Sequence, residues 1–103
     1  MNISVILAHP NKESFNHAIA KAAVTALRDN GQKVAFHDLS AEEFDPVLPA
    51  TELSKDVVLD PALKQHCNEI ASADGIIIIH PNWWGQPPAV LKGWIDRVLR
   101  PGV

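Results

Sequence analysis

Ile76, Ile77, Ile78 and Ile79 stand in a row, and no other feature constrains the fold of this chain as strongly. Successive side chains of a strand point to opposite faces, so an unbroken apolar run leaves no face for water. Such a strand needs cover on both sides, and the centre of a parallel sheet is its natural place. Residues 3–8 (Ile-Ser-Val-Ile-Leu-Ala) form a second run of this kind, short, β-branched and almost wholly apolar. His9-Pro10-Asn11-Lys12-Glu13 breaks it with polar residues and a proline.

Helical patterns separate the runs. Ser14 is a candidate N-cap, and Phe15, Ile19, Ala22, Ala23, Ala26 and Leu27 then recur at helical spacing. Asn30-Gly31 is a stop signal, with Gly31 suited to a left-handed position. Residues 33–37 alternate, with Val34 and Phe36 on one side, as in a strand near a sheet edge. Residues 40–60 have no clear period and contain Pro46 and Pro49. A connection that long is functional or hides a short helix. Asp60-Pro61 starts a helix with an N-cap acid and proline at the first helical position. Its expected buried stripe is Leu63, Cys67, Ile70 and Ala71. Pro87-Pro88 opens a third helix with the stripe Leu91, Trp94, Ile95, Val98 and Leu99. Arg97 and Arg100 suit the dipole of its last turn, and Pro101-Gly102 ends it.

The order is therefore β-α-β-loop-α-β-α, which implies right-handed crossovers and a parallel sheet. With 103 residues the chain has room for one domain and one core. A net charge of -3 argues against general nucleic-acid binding. Cys67 is the only cysteine, which excludes an intrachain disulfide and fits a reducing, cytoplasmic setting. No apolar run approaches the ~20 residues of a membrane helix, so no membrane insertion is expected.

In open α/β sheets ligands bind at the carboxyl ends of the strands. Two loops leave the most buried strands there, residues 9–16 and residues 80–86. The first precedes a helix N-terminus, where free N–H groups and the dipole favour an anion such as phosphate. Ser14, Asn16 and His9 supply donors; the plainer alternative is a capped helix after a polar turn. Neither G-x-G-x-x-G nor G-x-x-x-x-G-K-[ST] is present, which disfavours a Rossmann turn or a nucleoside triphosphatase. The second loop carries Trp83, Trp84 and Gly85, able to wall a flat ring system or, alternatively, to fill a core or an oligomer interface. Trp94 lies on a helical stripe and reads as core or interface packing. The five histidines show no H-x-x-x-H pair, and no metal site is assigned. Ser14 is not in G-x-S-x-G, so a serine hydrolase is unsupported. Glu42, Glu43, Asp45, Glu52 and Asp56 read as a solvated face of the long connection.

Taken together, His9-Pro10…Ser14-Phe15-Asn16 and the stretch His80-Pro81-Asn82-Trp83-Trp84-Gly85-Gln86-Pro87-Pro88-Ala89-Val90-Leu91-Lys92-Gly93-Trp94-Ile95-Asp96-Arg97-Val98 closely resemble the NAD(P)H:quinone oxidoreductase family. That family includes quinone reductases, modulators of drug activity and ancillary subunits of potassium efflux systems. The resemblance, joined by Phe44-Asp45-Pro46, covers the whole chain. It implies a flavodoxin-like doubly wound α/β fold and a bound FMN or FAD, with NADH or NADPH as donor and a quinone-like acceptor. His9, Ser14, Phe15 and Asn16 match the family's phosphate loop, and Pro81, Asn82, Trp83, Trp84 and Gly85 match the stretch along the flavin ring. No catalytic acid or base is implied, and a homodimer is.

The resemblance also implies a sheet cut short. A five-stranded flavodoxin-like domain takes about 150 residues. Residues 1–103 would be its N-terminal portion, with three strands in the order 2-1-3. The isoleucine strand then becomes an edge, and pairing with another chain along Gly75–Ile79 is expected. A regulatory subunit of a potassium efflux transporter and an inactive truncated fragment are the alternative readings.

Overall fold

The computed structural model describes residues 1–54 and 56–100. The expected helix stop at Pro101-Gly102 lies outside them. Strand β1 (Asn2–Leu7) leads to helix α1 (Phe15–Asp29), strand β2 (Lys33–Asp38), helix α2 (Pro61–Ser72), strand β3 (Gly75–Ile79) and helix α3 (Ala89–Val98). The long connection hides one short 3-10 helix, Ala50–Leu53. The sheet is parallel in the order β2-β1-β3, with Ile3 opposite both Val34 and Gly75.

The central place belongs to β1, not to the isoleucine strand. β1 is buried along Ile3 to Leu7, whereas β3 borders only β1 and leaves Ile76 at 45% and Ile78 at 40% exposure. Composition equips both strands for cover, but among the described residues the sheet has three strands, and β3 takes one of its edges. Two cores sandwich β1. Ile6 and Ala8 pack with Leu63 and Cys67 of α2 and with Leu91, Trp94 and Val98 of α3. Val5 and Leu7 pack on the other side with Ala20 and Val24 of α1 and with Ile79. Each such aliphatic burial contributes about 1.5–3 kcal/mol.

The caps form where the sequence signals them. Ser14 accepts the His17 N–H at 3.1 Å, and Asp60 accepts the Leu63 N–H at 2.9 Å. The phase of α1 differs from expectation. Ala20 and Val24 face the sheet, while Phe15 is 79% exposed and Ile19, Ala22 and Ala26 also face outward. An alanine-rich helix offers apolar residues on more than one side, and the shorter side chains allow closer approach to β1. In α2 Ala71 is exposed, and His66 takes a buried place beside Leu63 and Cys67. In α3 Leu99, just past the helix, is exposed, while Gly93 and Arg97 are buried. A β-carbon at Gly93 would overlap Pro46, so glycine lets the long connection cross α3.

That connection is not a uniformly solvated acidic face. Glu52 is only 7% exposed and takes Arg97 bidentately, with Nε to Oε1 at 3.1 Å and Nη2 to Oε2 at 2.7 Å. Arg97 Nη1 also donates to the Asp45 carbonyl at 2.7 Å. Arg97 is therefore a buried tie between α3 and the connection, beyond any role at the helix dipole. Among the described residues no helix is long and apolar enough to cross a membrane.

Candidate functional site

The loops after β1 and β3 meet because their strands are neighbours. The Ala8 N–H donates to the Ile79 carbonyl at 3.0 Å, which carries the pairing to the carboxyl end of both strands. Just beyond, the rings of His9 and Trp83 make an edge contact with centroids 5.7 Å apart.

The first loop is held by its own short polar side chains. The Asn11 N–H donates to His9 Nδ1 at 3.0 Å, and the Glu13 N–H to Asn11 Oδ1 at 2.9 Å. Side chains such as that of Asn11 compete well with water for such local bonds, which is why a turn forms here. Ser14 then caps α1. The first two helical residues, Phe15 and Asn16, keep N–H groups with no acceptor among the described residues. Two aligned donors at the positive end of a helix suit an anion.

Ser14 also belongs to a chain of three side chains. Its Oγ lies 2.7 Å from His17 Nδ1, and His17 Nε2 lies 2.9 Å from Asp38 Oδ2. Asp38 is the last residue of β2 and accepts the Ala41 N–H through Oδ1 at 3.1 Å. Nothing in the local pattern points to this relay, because His17 and Asp38 are 21 residues apart. The rings of His9 and His17 stand 6.2 Å apart, whereas His80 turns to the Pro81 carbonyl at 2.7 Å.

The second loop folds into a tight turn. The Trp83 N–H donates to the Gln86 carbonyl at 3.0 Å, and the Gln86 N–H returns to the Trp83 carbonyl at 2.9 Å. Trp84 and Gly85 occupy its centre at φ 56° and 75°. Positive φ at both central residues is the type I′ pattern. Glycine accepts it freely, but an indole-bearing residue does so at a cost of about 1–2 kcal/mol. Trp84 is 100% exposed, so no buried contact offsets that cost. Trp83 is also exposed, and Asn82 lies open beside half-buried Pro81. Neither tryptophan of the loop fills the core; Trp94 does, as its spacing implies.

The site can therefore offer an anion two backbone donors and offer a flat molecule exposed indole faces. It joins a helix N-terminus to a strained aromatic turn across the ends of two parallel strands. The sequence model of a family with the flavodoxin-like fold matches residues 1–103. The chain belongs to this flavodoxin-like family.

Its flavodoxin-like relatives share most of the chain. An uncharacterized NAD(P)H oxidoreductase of Haemophilus influenzae is 39% identical over 105 residues, which are 99% of this chain and 52% of that protein. NAD(P)H dehydrogenase (quinone) 1 of Cavia porcellus is 34% identical over 117 residues, 95% of this chain and 42% of its own length. The solved NAD(P)H:quinone oxidoreductase of Methanothermobacter marburgensis has a TM-score of 0.86 at 30% identity, covering 99% of this chain and 54% of that one. The chain spans about half the length of the curated relatives it matches.

Proposed function

We propose that this chain carries the flavin-binding part of an NAD(P)H:quinone oxidoreductase, with FMN or FAD as cofactor and NADH or NADPH as donor. One observation carries the reading. The N–H groups of Phe15 and Asn16, unpaired among the described residues, and the exposed indoles of Trp83 and Trp84 stand at the same end of the sheet. A flavin joins a phosphate to a flat ring, and these two features fit its two ends. The names of relatives that bear on NAD(P)H and quinones support the same chemistry.

In this reading Phe15 and Asn16 donate to the phosphate through backbone N–H groups. Ser14 holds their helix turn in place, and His9 stands at the junction of the two loops. Pro81, Asn82, Trp83 and Trp84 run along the ring, and Gly85 leaves the backbone bare beside it. When bound, the flavin supplies acceptance of a hydride from NAD(P)H and delivery of two electrons to a quinone-like acceptor. The chain's own residues bind and orient; none is assigned as a catalytic acid or base. A cytoplasmic homodimer, its copies pairing along Gly75–Ile79, completes the proposal.

A visible spectrum of the protein with added FMN, followed by NADPH titration, tests it. Flavin retained through gel filtration and bleached by NADPH is the expected result. Flavin that elutes free of the protein would overturn the reading. Light scattering tests the pairing, and a lone species of 11.2 kDa would remove it.

A further inference from the structure

A second cluster of ionisable side chains lies away from the flavin reading, under the connection that crosses α2 and α3. Its centre is a pair of imidazoles, His37 of β2 and His66 of α2, with ring centroids 4.0 Å apart and planes tilted by 35°. His37 holds a carboxylate at each nitrogen. Nδ1 lies 2.8 Å from Glu42 Oε2, and Nε2 lies 2.6 Å from Glu69 Oε2. A carboxylate only accepts, so both ring nitrogens donate and His37 is an imidazolium.

His66 is placed differently. Trp94 donates its indole N–H to His66 Nδ1 at 3.1 Å. An indole nitrogen can only donate, so Nδ1 must present a lone pair. Neutral His66 therefore carries its proton on Nε2, which lies 3.5 Å from Glu42 Oε1. The ring is buried, and the Phe44 edge closes it off with centroids 5.3 Å apart.

His37, Glu42 and His66 offer donor atoms all within 4.8 Å of one another, a spacing open to a metal ion. The hydrogen bonds argue against that use. To ligate through Nε2, His66 must either become an imidazolate or give up Trp94, and two remaining ligands make a weak site.

We propose that the His37–His66 stack is a proton-operated latch. It joins β2, α2 and α3 while His66 is neutral, and it releases Trp94 when His66 takes up a second ring proton. That proton has only Nδ1 to occupy, where it faces the Trp94 N–H as donor against donor. It also places a second cation against the His37 ring. The other groups around His66 do not cancel this repulsion. Glu42 from the connection and Glu69 from α2 are already engaged by His37. Arg97 of α3, 5.6 Å over the Phe44 ring, is held by Glu52. Glu43, Asp45 and Asp60 line the outer side of the same hollow. Burial and then the charge of His37 hold His66 below the ordinary imidazole range, while Glu42 and Glu69 pull the other way. The latch thus stays shut at neutral pH and opens in acid. Because α3 follows directly on the Trp83–Gln86 turn, its release reaches the second loop of the flavin reading.

Trp94 fluorescence reads the latch without any flavin. Trp83→Phe and Trp84→Phe together leave Trp94 as the sole indole. Its emission, followed from about pH 8 to about pH 4.5, is expected to change in one reversible proton step below ~6.5, before far-UV dichroism falls. His66→Gln supplies a carbonyl oxygen for the Trp94 N–H and cannot titrate, so the step should vanish. A step that persists in His66→Gln, or emission that stays flat until the chain unfolds, would overturn the proposal. Long-range proton–nitrogen NMR of the wild-type ring gives a check that needs no variant. An Nε2–H tautomer of His66 at neutral pH is expected, and an Nδ1–H tautomer would overturn the latch. Zinc ions should leave the midpoint unmoved; a zinc-dependent shift lost in His66→Gln would replace the latch with a metal site.

Discussion

His17 Nε2 lies 2.9 Å from Asp38 Oδ2, and this bond ties the first turn of α1 to the last residue of β2. Both side chains are largely shielded, at 17% exposure each. Asp38→Ala is expected to lower stability by about 1–2 kcal/mol through loss of this bond and of the Ala41 N–H acceptor. Urea unfolding measures it, and an unchanged midpoint would show that the tie contributes nothing.

Asn16→Asp should move the fold and the binding site in opposite directions. A carboxylate in the first turn of α1 favours the helix dipole by about 0.3–1 kcal/mol. The same charge opposes a phosphate at the Phe15 and Asn16 N–H groups. FMN affinity is expected to fall by about tenfold, or about 1.4 kcal/mol, while riboflavin affinity stays level. Equal loss for both flavins would place the phosphate elsewhere.

Trp84 sits at φ 56° with its side chain fully in solvent. Trp84→Gly should therefore stabilise the chain by about 1 kcal/mol, because glycine adopts this conformation freely. Flavin affinity should drop in the same variant, since an exposed indole face is lost. Thermal unfolding and flavin-fluorescence quenching together read the two effects. A variant less stable than the parent would mean that the turn is not strained.

Glu52→Gln leaves the buried Arg97 guanidinium without its bidentate partner, and Asp60, at 3.6 Å, meets only one of its nitrogens. The expected loss is about 3–5 kcal/mol, as for other broken buried pairs. Denaturant titration of the two proteins checks it, and a loss below about 1 kcal/mol would count the pair as a surface one.

His37 makes stability depend on pH with a definite sign. Burial works against its charge, but the bonds to Glu69 and Glu42 outweigh burial and hold the imidazole above its ordinary range. A raised folded value means that the stabilisation is fully present below the ordinary ~6.5 and fades as pH climbs above it, through the higher value that His37 has in the fold. Glu69 is held below the ordinary carboxylate range, against burial, by Gln65 and His37, so its share is lost only in stronger acid. On a His66→Gln background, where the stack has one titrating ring, His37→Gln should cost more near pH 6 than near pH 9 (roughly one unit either side of the neutral range). A cost independent of pH would show that His37 is not charged in the fold.

The elements were legible because their signals are local. Ser14 and Asp60-Pro61 cap helices with groups three residues away, and the apolar runs of β1 and β3 mark strands by composition alone. The parallel sheet in the order 2-1-3 follows from alternation of these elements and from the family resemblance. The loops that carry His9, Ser14 and Trp83 were likewise visible, since each follows a buried strand.

Distant partners were not. Periodicity puts Phe15 and Ile19 on the apolar stripe of α1, whereas packing against β1 buries Ala20 and Val24 instead. Glu52 reads as solvated among other acids in the sequence, and only the fold brings it Arg97, 45 residues on. The bonds His17–Asp38 and Trp94–His66 likewise need two helix phases and a loop path to agree.

The isoleucine run shows the division most directly. By sequence alone it is a strand with no polar face, because side chains alternate and every one is apolar. The resemblance already puts it at the edge of a 2-1-3 sheet; only the tertiary structure decides which of its side chains stay open, because among the described residues β3 pairs with β1 alone and leaves Ile76 and Ile78 45% and 40% exposed.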